Sequence, residues 1–450
     1  MITDQIRIHA QNHPSKTALV LDGKAISYAQ LERLTGAFEE SLHGIQESTV
    51  LFRGDALENL CGMLACNQVG KSGIVLPLDF SEERIRTLRQ EYQAVLWGKE
   101  TSGGQGLDDS KTKEEHNDNF LGILTSGSTG EPKVIWKSDA NWQKAFPYQS
   151  EIFGLTSEDR IFVVDALAYS ANLNAVIHGL WLGATVVLGQ FSQSRFWLKQ
   201  WEQQQISAAF LVPSHCRLLT KSQFKYTGLK SLATAGEKLD VNTARFLLEK
   251  FPNVCLTEYY GAAELGHITY HQNWDIVHNP ISVGKPFPEV QIAISEGEIQ
   301  VHSPYVSEDF KERATVHDLG YFEGEHLILL GRAGRVFNRR GINIFAQEVE
   351  NVALDCGLIQ EAVLVSHSDS LEIQKLTLFY SPKKEGNISE LELRKRMAEK
   401  LPKSKLPNFF KELKVIPHSD AGKIDFRALS KMCDEHHTKT ATDSFVHFSF

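Results

Sequence analysis

The chain has 450 residues, 42% of them hydrophobic and 23% charged, with a formal net charge of −9. That length is too great for one core and predicts two or three domains of ordinary globular composition. The acidic balance speaks against general nucleic-acid binding, which calls for a basic face, and no apolar run approaches the length of a membrane span.

In chain order, the opening Met1-Ile2-Thr3-Asp4-Gln5 lacks a basic stretch followed by an apolar one, so no signal peptide is expected. Ala18 to Leu21 and Ala25 to Tyr28 flank Asp22-Gly23 and predict a β-hairpin, and Gln30 to Leu42 has the pattern of an amphipathic helix. Residues 101–119 are polar, glycine-bearing and charged, the composition of a surface linker. Phe120 to Leu124 reads as a strand, and it leads into Leu124-Thr125-Ser126-Gly127-Ser128-Thr129-Gly130-Glu131-Pro132-Lys133. Beyond it, Ile161–Val164, Ala184–Leu188, Ala208–Val212 and Leu229–Thr234 are strand-like runs separated by helical segments, which predicts α/β layers. From Pro280 the period changes: Val290–Ile294 and Gly297–Val301 alternate as antiparallel strands with one wet face. A new small unit with its own strands and helices begins after Arg332 and runs to about Lys431, and Asp434 to Phe450 read as a frayed tail. The six cysteines (Cys61, Cys66, Cys216, Cys255, Cys356, Cys433) are scattered with no C-x-x-C pair, which fits reduced thiols in a cytoplasmic protein.

The stretch Thr125 to Lys133 gathers four hydroxyls, two glycines and a lysine. Glycines let backbone N–H groups turn toward an anion, and the hydroxyls and the ammonium add donors and charge, so this is the chemistry of a polyphosphate loop. It is neither a Walker loop, since Pro132 precedes Lys133 and Val134 follows it, nor the G-x-G-x-x-G of dinucleotide binding. Four further segments follow. Ala233-Thr234-Ala235-Gly236-Glu237-Lys238-Leu239 ends a strand in a turn. Tyr259-Tyr260-Gly261-Ala262-Ala263-Glu264 offers a flat face beside a close backbone, and a hard oxygen at Glu264 that suits Mg²⁺. Asp318-Leu319-Gly320-Tyr321, with Leu329 to Arg335 and Arg340 to Glu350, supplies a carboxylate that can accept both hydroxyls of a ribose. Last comes Pro417 to Leu429, containing Gly422-Lys423-Ile424-Asp425.

In this order the motifs resemble those of the acyl-adenylate-forming (AMP-binding) superfamily, which includes acyl- and aryl-CoA ligases, peptide-synthetase adenylation domains and luciferase. The first matches T-S-G-[ST]-T-G-x-P-K-G except that Val134 stands for the last Gly; the others are similar to G-G-E-x-L, Y-G-x-T-E, G-D-x-G-[YW], G-R-x-[DK], G-x-x-[IV]-x-P-x-E-[IV]-E and P-x-T-x-x-G-K-I-[DL]. The departures are Val134, Ala235 for Gly, Ala263 for Thr, His317 for Gly, Gly334 for the hinge Asp or Lys, and Ala346 for Pro. The resemblance implies an α/β fold: a large N-terminal domain of layered α/β subdomains over residues 1–332, a small mobile C-terminal α+β lid over 333–431, and a tail over 432–450. It also implies ATP, Mg²⁺ and coenzyme A. Thr125, Ser126, Gly127, Ser128, Thr129, Gly130 and Lys133 would hold phosphates. Gly236, Glu237, Tyr260 and Gly261 would hold adenine, Asp318 the ribose, and Arg332 the ribose or phosphate. Glu264 would serve the metal, Gly341 would line the pantetheine tunnel, and Lys423 would be the catalytic lysine of adenylation. Glycine's wide φ/ψ range makes Gly334 a physically reasonable hinge.

The activity implied is ATP-dependent conversion of a carboxylic acid to acyl-AMP, then transfer to a thiol, foremost CoA. Two alternatives stay open: loading of a carrier-protein phosphopantetheine, and a catalytically weak nucleotide-binding member, which the departures suggest. Amino-acid-activating relatives grip the α-ammonium with an Asp, but Ala168 to Asn174 contains no acid and Asp165 precedes the expected place. An unpaired buried ammonium is costly, which disfavours α-amino acids. Fatty, small aliphatic, aryl and o-succinylbenzoate-type acids remain open. No nucleic acid and no integral membrane segment are expected.

Overall fold

A computed structural model describes residues 1–78, 80–98, 119–126, 132–165, 167–190, 195–223, 225–311, 314–339, 342–368, 374–383, 389–418, 424–426 and 428–433. The chain divides into two compact units. The first comprises Met1–His278, Val283–Ala293 and Gln300–Thr315; the second comprises Asn279–Ser282, Ile294–Ile299 and Val316–Phe450.

The first unit is built on two sheets. The larger has nine strands, in the order Lys285–Pro286, Gly266–Gln272, Cys255–Ala262, Ser231–Thr234, Ala208–Leu211, Arg160–Val164, Thr185–Gly189, Thr17–Leu21 and Lys24–Ser27. From Cys255–Ala262 through Thr17–Leu21 every neighbour is parallel; the outer pairs at both ends are antiparallel. The central strands are buried on both faces, as parallel strands covered by helices must be. Strand alternation divides their side chains between two cores. Ile161, Val163 and Val186 join Phe146, Phe153 and the helix Ser170–Leu182, whereas Phe162, Val164 and Val187 join Trp197, Trp201 and Phe251. Each such large side chain taken fully out of water contributes about 1.5–3 kcal/mol.

The hairpin expected at Asp22-Gly23 is present, with both residues at positive φ (49° and 76°), the backbone that a tight two-residue hairpin turn requires. The following helix spans Tyr28–Leu42, starting two residues before the expected Gln30. The reason is its cap: Gln30 N–H donates to Ser27 Oγ and Ser27 N–H donates to Gln30 Oε1 at 2.8 Å. The Ser-Tyr-x-x-Leu segment is therefore a structural device, since Tyr28 and Leu31 are fully buried and the Tyr28 hydroxyl donates to Ala184 O at 2.7 Å.

The smaller sheet has the order Ala94–Leu96, Thr49–Phe52, Ser72–Val75, Asn119–Ser126 and Pro132–Ser138. Its last two strands pair antiparallel, Thr125 opposite Lys133, and so carry the two ends of the phosphate-loop motif.

In the second unit Asp318–Glu323 and His326–Arg332 form an antiparallel pair. The hairpin Val336–Arg339 and Ile342–Phe345 leads into the helix Ala346–Asp355. The strands Ile359–Ser368, Gln374–Pro382 and Phe409–Glu412 form a three-stranded sheet. One sheet face packs Leu364 and Leu378 against Val349, Leu393 and Met397; the other packs Val363 and Phe379 against Ile416 and Leu429. Gly334 sits in a 3₁₀ turn, Ala333–Arg335, at an ordinary φ with open space around it. Beside it, Arg335 donates to the buried Glu350 (Nη2–Oε1, 2.6 Å), which also accepts Leu364 N–H. Burial pushes the Glu350 carboxyl up and Arg335 opposes that shift. No helix among the described residues is long and apolar enough to cross a membrane.

Candidate active site

Thr125 and Lys133 face each other at the mouth of the strand pair, with Thr125 Oγ1 donating to Lys133 O at 3.3 Å. Gly127, Ser128, Thr129 and Gly130 lie outside the described residues, and Ser126 is placed only as the strand's last backbone position. The segment around Tyr305 joins this strand pair to Glu264. Lys133 Nζ lies 4.8 Å from the Phe310 ring centroid, Lys137 Nζ donates to Tyr305 O at 3.2 Å, and Asn141 Nδ2 donates to Val306 O. Ser307 N–H then donates to Glu264 O at 2.9 Å. Lys137 is 1% exposed, and burial pulls its ammonium down to about 7 against the field of Glu264.

Tyr260, Gly261 and Glu264 sit at the carboxyl end of the strand Cys255–Ala262 and just beyond it. The pairing slips at Tyr260/Gly261, a bulge of the kind that re-aims side chains beside sites. Gly261 has no room for a side chain, because a Cβ there would lie 2.5 Å from Gly266 O.

Gly236 and Glu237 lie in the turn after the neighbouring parallel strand, with Gly236 at φ +94° and the Glu237 carboxylate taken up by Arg217 at 3.4 Å. What holds this turn against the Tyr260 strand is Glu258, 3% exposed. Its Oε1 accepts Leu239 N–H at 2.6 Å; its Oε2 accepts Lys238 Nζ and lies 2.6 Å from His271 Nε2. Burial pushes Glu258 up, but Lys238, His271 and the Leu239 N–H outweigh it and hold the carboxyl below its ordinary value, while burial holds His271 below the usual imidazole range. The sequence reading missed Lys137, Lys238, Glu258 and His271. The available signal was charge inside apolar strands, in Val134-Ile135-Trp136-Lys137 and Leu256-Thr257-Glu258.

A small cavity of about 20 Å³, room for about one water, opens beside these strands. Phe210, Val212, Ala233, Ala235 and Tyr259 bring the ends of three adjacent parallel strands to it, and Ala171 brings the first turn of the helix Ser170–Leu182. The carboxyl edge of parallel strands is where open α/β sheets hold ligands. Asp165 ends a neighbouring strand, exposed, and is not among the lining residues.

In the second unit Asp318 and Arg332 are register partners, and Arg332 Nε lies 3.3 Å from Asp318 Oδ1. Asp318 is 6% exposed, which holds its carboxylate at a fixed place. His317 adopts φ +60°, the left-handed conformation that favours Gly, and its Nδ1 lies 2.6 Å from Glu298 Oε1. Gly341 and Lys423 lie outside the described residues. Among the described residues no group of three or more His, Cys, Asp and Glu could hold a metal ion. A single carboxylate such as Glu264 is the kind of ligand Mg²⁺ takes where phosphates supply further oxygens, and Glu264 would serve in that way.

A sequence profile described as AMP-binding enzyme matches residues 85–307, and one described as AMP-binding enzyme C-terminal domain matches residues 348–423. The chain is 28% identical over 338 residues to a Bacillus subtilis (strain 168) protein named uncharacterized acyl-CoA ligase YhfT, covering 70% of this chain and 69% of that one. It is 24% identical over 445 residues to the putative long chain fatty acid-CoA ligase VraA of Staphylococcus epidermidis, covering 94% and 96%. The fold is shared with o-succinylbenzoate CoA synthetase (MenE) from Bacillus subtilis in complex with the acyl-adenylate intermediate OSB-AMP, at TM-score 0.79 and 22% identity over 94% of this chain and 97% of that one.

Proposed function

The chain belongs to the AMP-binding enzyme family, and from that premise we propose that it is an ATP-dependent acid–thiol ligase: it converts a carboxylic acid to acyl-AMP with release of pyrophosphate, then passes the acyl group to CoA. The observation that carries this reading is the convergence, at the carboxyl edge of the nine-stranded sheet, of the Gly236 turn, the Tyr260–Gly261 bulge and a cavity beside them.

In this reading the acid enters the cavity and adenine lies between the Gly236–Glu237 turn and Tyr260–Gly261. Thr125 to Lys133 would cradle the phosphates with backbone N–H groups, hydroxyls and the Lys133 ammonium. Asp318 would accept the ribose hydroxyls and Arg332 would exchange its contact with Asp318 for the nucleotide. Mg²⁺ held through Glu264 supplies charge screening on the phosphates. Oxide is a poor leaving group from a carboxylate, so the chain's work in the first step is to align the acid's oxygen with the α-phosphate and offset the growing negative charge. Lys423 is proposed for that second task. A pivot just past Arg332, with the lid over residues 333–431, would then bring the Gly341 side to the thiol. Loading a carrier protein instead of CoA remains the second acceptor reading, because both present the same pantetheine thiol. A cytoplasmic location fits substrates of this kind.

The test is acid-dependent exchange of pyrophosphate into ATP, followed by thioester formation with free CoA. Lys423→Ala should lower the first half-reaction by about 10²–10³-fold, the size typical of one oriented donor at developing charge, and spare thioester formation from supplied acyl-AMP. Absence of exchange with every acid of a broad panel would leave a nucleotide-binding protein. Equal losses in both half-reactions would remove Lys423 from its role.

A further inference from the structure

In the strand Pro132–Ser138 the residues Val134 and Ile135 are buried hydrocarbon, and Lys137 lies as deep as they do, 1% exposed. Taking an ammonium out of water is costly, and a methionine would fill nearly the same space without that cost. What the ammonium adds is a donor and a charge. Its Nζ donates to Tyr305 O at 3.2 Å. Glu264 is the charge that opposes the effect of burial on it, and Lys137 in turn helps to pull the buried His267 down.

Tyr305 belongs to residues 304–307, which form neither helix nor strand, so their backbone groups take partners from elsewhere. Lys137 supplies Tyr305 O, and Asn141, in the short helix Asp139–Gln143 that follows, supplies Val306 O at 3.0 Å. On its other side this segment bears the turn that carries Glu264. Ser307 N–H donates to Glu264 O at 2.9 Å. Gly266, at φ +75°, approaches so closely that a Cβ there would lie 2.6 Å from Tyr305 Cβ. Gly266 O is also the atom that a Cβ on Gly261 would meet at 2.5 Å. Lys137 therefore reaches both the Glu264 turn and the Tyr260–Gly261 bulge through one backbone segment, from the strand that holds Lys133 four residues away.

We propose that Lys137 is a positioning residue for acyl-adenylate formation: by holding Tyr305 O, its ammonium fixes the turn of Glu264 against the strand of Lys133. This rests on the acid-activating function proposed above, in which Lys133 meets phosphate and Glu264 the metal. The spacing of such groups governs rate, since a displacement of about 1 Å caused by a distant substitution can cost about 100-fold. Losing one anchor among several loosens the turn without displacing it fully, so a loss of about tenfold is expected.

The experiment measures Mg·ATP binding without acid, by calorimetry, and pyrophosphate exchange, on the full chain carrying Lys137→Met or Lys137→Gln. Met matches Lys in length and packing but offers no donor; Gln is shorter and keeps an N–H for Tyr305 O. Lys137→Met should raise the Kd for Mg·ATP about tenfold and lower the kcat of exchange about tenfold, and Lys137→Gln should change each about threefold. Thioester formation from supplied acyl-AMP should keep the parent's rate in both. On a Glu264→Gln background, Lys137→Met should change the Kd by less than about twofold, because the two residues act through one turn. A Met variant that retains more function than the Gln variant, or losses that add fully on the Glu264→Gln background, would make Lys137 a packing residue and overturn this inference while the acid-activating function stands. If Lys137→Met does not fold, Lys137→Gln decides alone: a Kd and kcat equal to the parent's overturn the inference, and the threefold changes support it. A parent that neither binds Mg·ATP nor exchanges pyrophosphate overturns both.

Discussion

Acid should weaken this protein well above the range in which ordinary carboxylates protonate, and one histidine substitution should measure why. His178 is fully buried in the helix Ser170–Leu182, its ring stacked on Phe146 at 5.0 Å and its Nε2 2.8 Å from Ser150 Oγ. His267 is 8% exposed, between Tyr259 and Phe287. Burial first, then the neighbouring His267 for His178 and Lys137 for His267, pull both imidazoles down to about 3. Unfolded, each binds a proton near its ordinary value of about 6.5; folded, neither does until about pH 3. The unfolded state thus binds more protons between these values, so their contribution is complete above about pH 6.5 and is lost as pH falls from there toward 3. At pH 5 the loss is about 1.5 pH units for each, about 2 kcal/mol per histidine and about 4 kcal/mol for the pair, a large part of the 5–15 kcal/mol typical of a domain. His178→Phe keeps the ring stack, and Ser150 Oγ keeps its bond to Phe146 O. Urea melts followed by tryptophan fluorescence at pH 7.5 and pH 5 should therefore show the parent losing about 2 kcal/mol more than the variant between the two conditions. Equal losses would mean that His178 is protonated in the folded protein, and the reasoning from its burial would fail.

Two further outcomes are expected. Glu258→Gln leaves Lys238 in a dry site without its carboxylate and should cost about 3–5 kcal/mol in urea melts and raise the KM for ATP more than it lowers kcat, while adding Lys238→Met to it should recover most of the stability; identical losses in the single and double variants would show that the pair does not act as a clamp. Ala263→Thr restores a hydroxyl at the position where the family contacts the α-phosphate and should raise the adenylation rate up to about tenfold, a hydrogen bond to a charged oxygen being worth about 1.5–3 kcal/mol at best; unchanged half-reactions and ATP affinity would place residue 263 away from the nucleotide.

What could be read from the chain was whatever local chemistry decides. Asp22-Gly23 dictates a turn in any context, and Ser27 with Gln30 fixes a helix start within four residues. The parallel strands were visible as apolar runs, but their order in the sheet was not, because parallel neighbours are chosen by helix crossovers and packing over long separations. The strand predicted from Leu229 begins only at Ser231, where pairing with Ala208 starts. Least legible were charged groups on buried strand faces. Pattern reading places Lys137 and Glu258 toward water; the fold instead supplies Tyr305 O to one, and Lys238, His271 and Leu239 N–H to the other. Their only local trace is a charge inside an apolar strand; what that charge does appears once partners distant in sequence are brought together.

The same distinction bears on the departures from the family motifs, which at first sight favour a protein that binds nucleotide without turning it over. Val134 is 3% exposed and belongs to the core with Leu51 and Ile74; its side chain covers Gly122, where a Cβ would lie 2.8 Å from Val134 Cγ1. The extra bulk is matched by a missing side chain across the strand pair. Ala346 opens the helix Ala346–Asp355, where proline fixes φ; alanine gives up about 0.4–1 kcal/mol of that rigidity and keeps good helix propensity. His317 adopts a glycine conformation with Glu298 beside its ring, so Asp318 still follows the turn that directs it. Ala235 lines the cavity and removes a little of its volume. These four substitutions act on packing, backbone freedom and pocket size, and none replaces a charged or hydroxyl-bearing residue of the family pattern; Gly334 does replace the family's charged hinge residue, at a position not among those proposed for the nucleotide. Ala263 alone subtracts a hydroxyl, and one hydrogen bond changes a rate without changing the reaction. The departures therefore weigh on how fast and on which acid the chain acts, while the groups proposed to handle charge, from Lys133 and Glu264 to Asp318 and Lys423, are all retained.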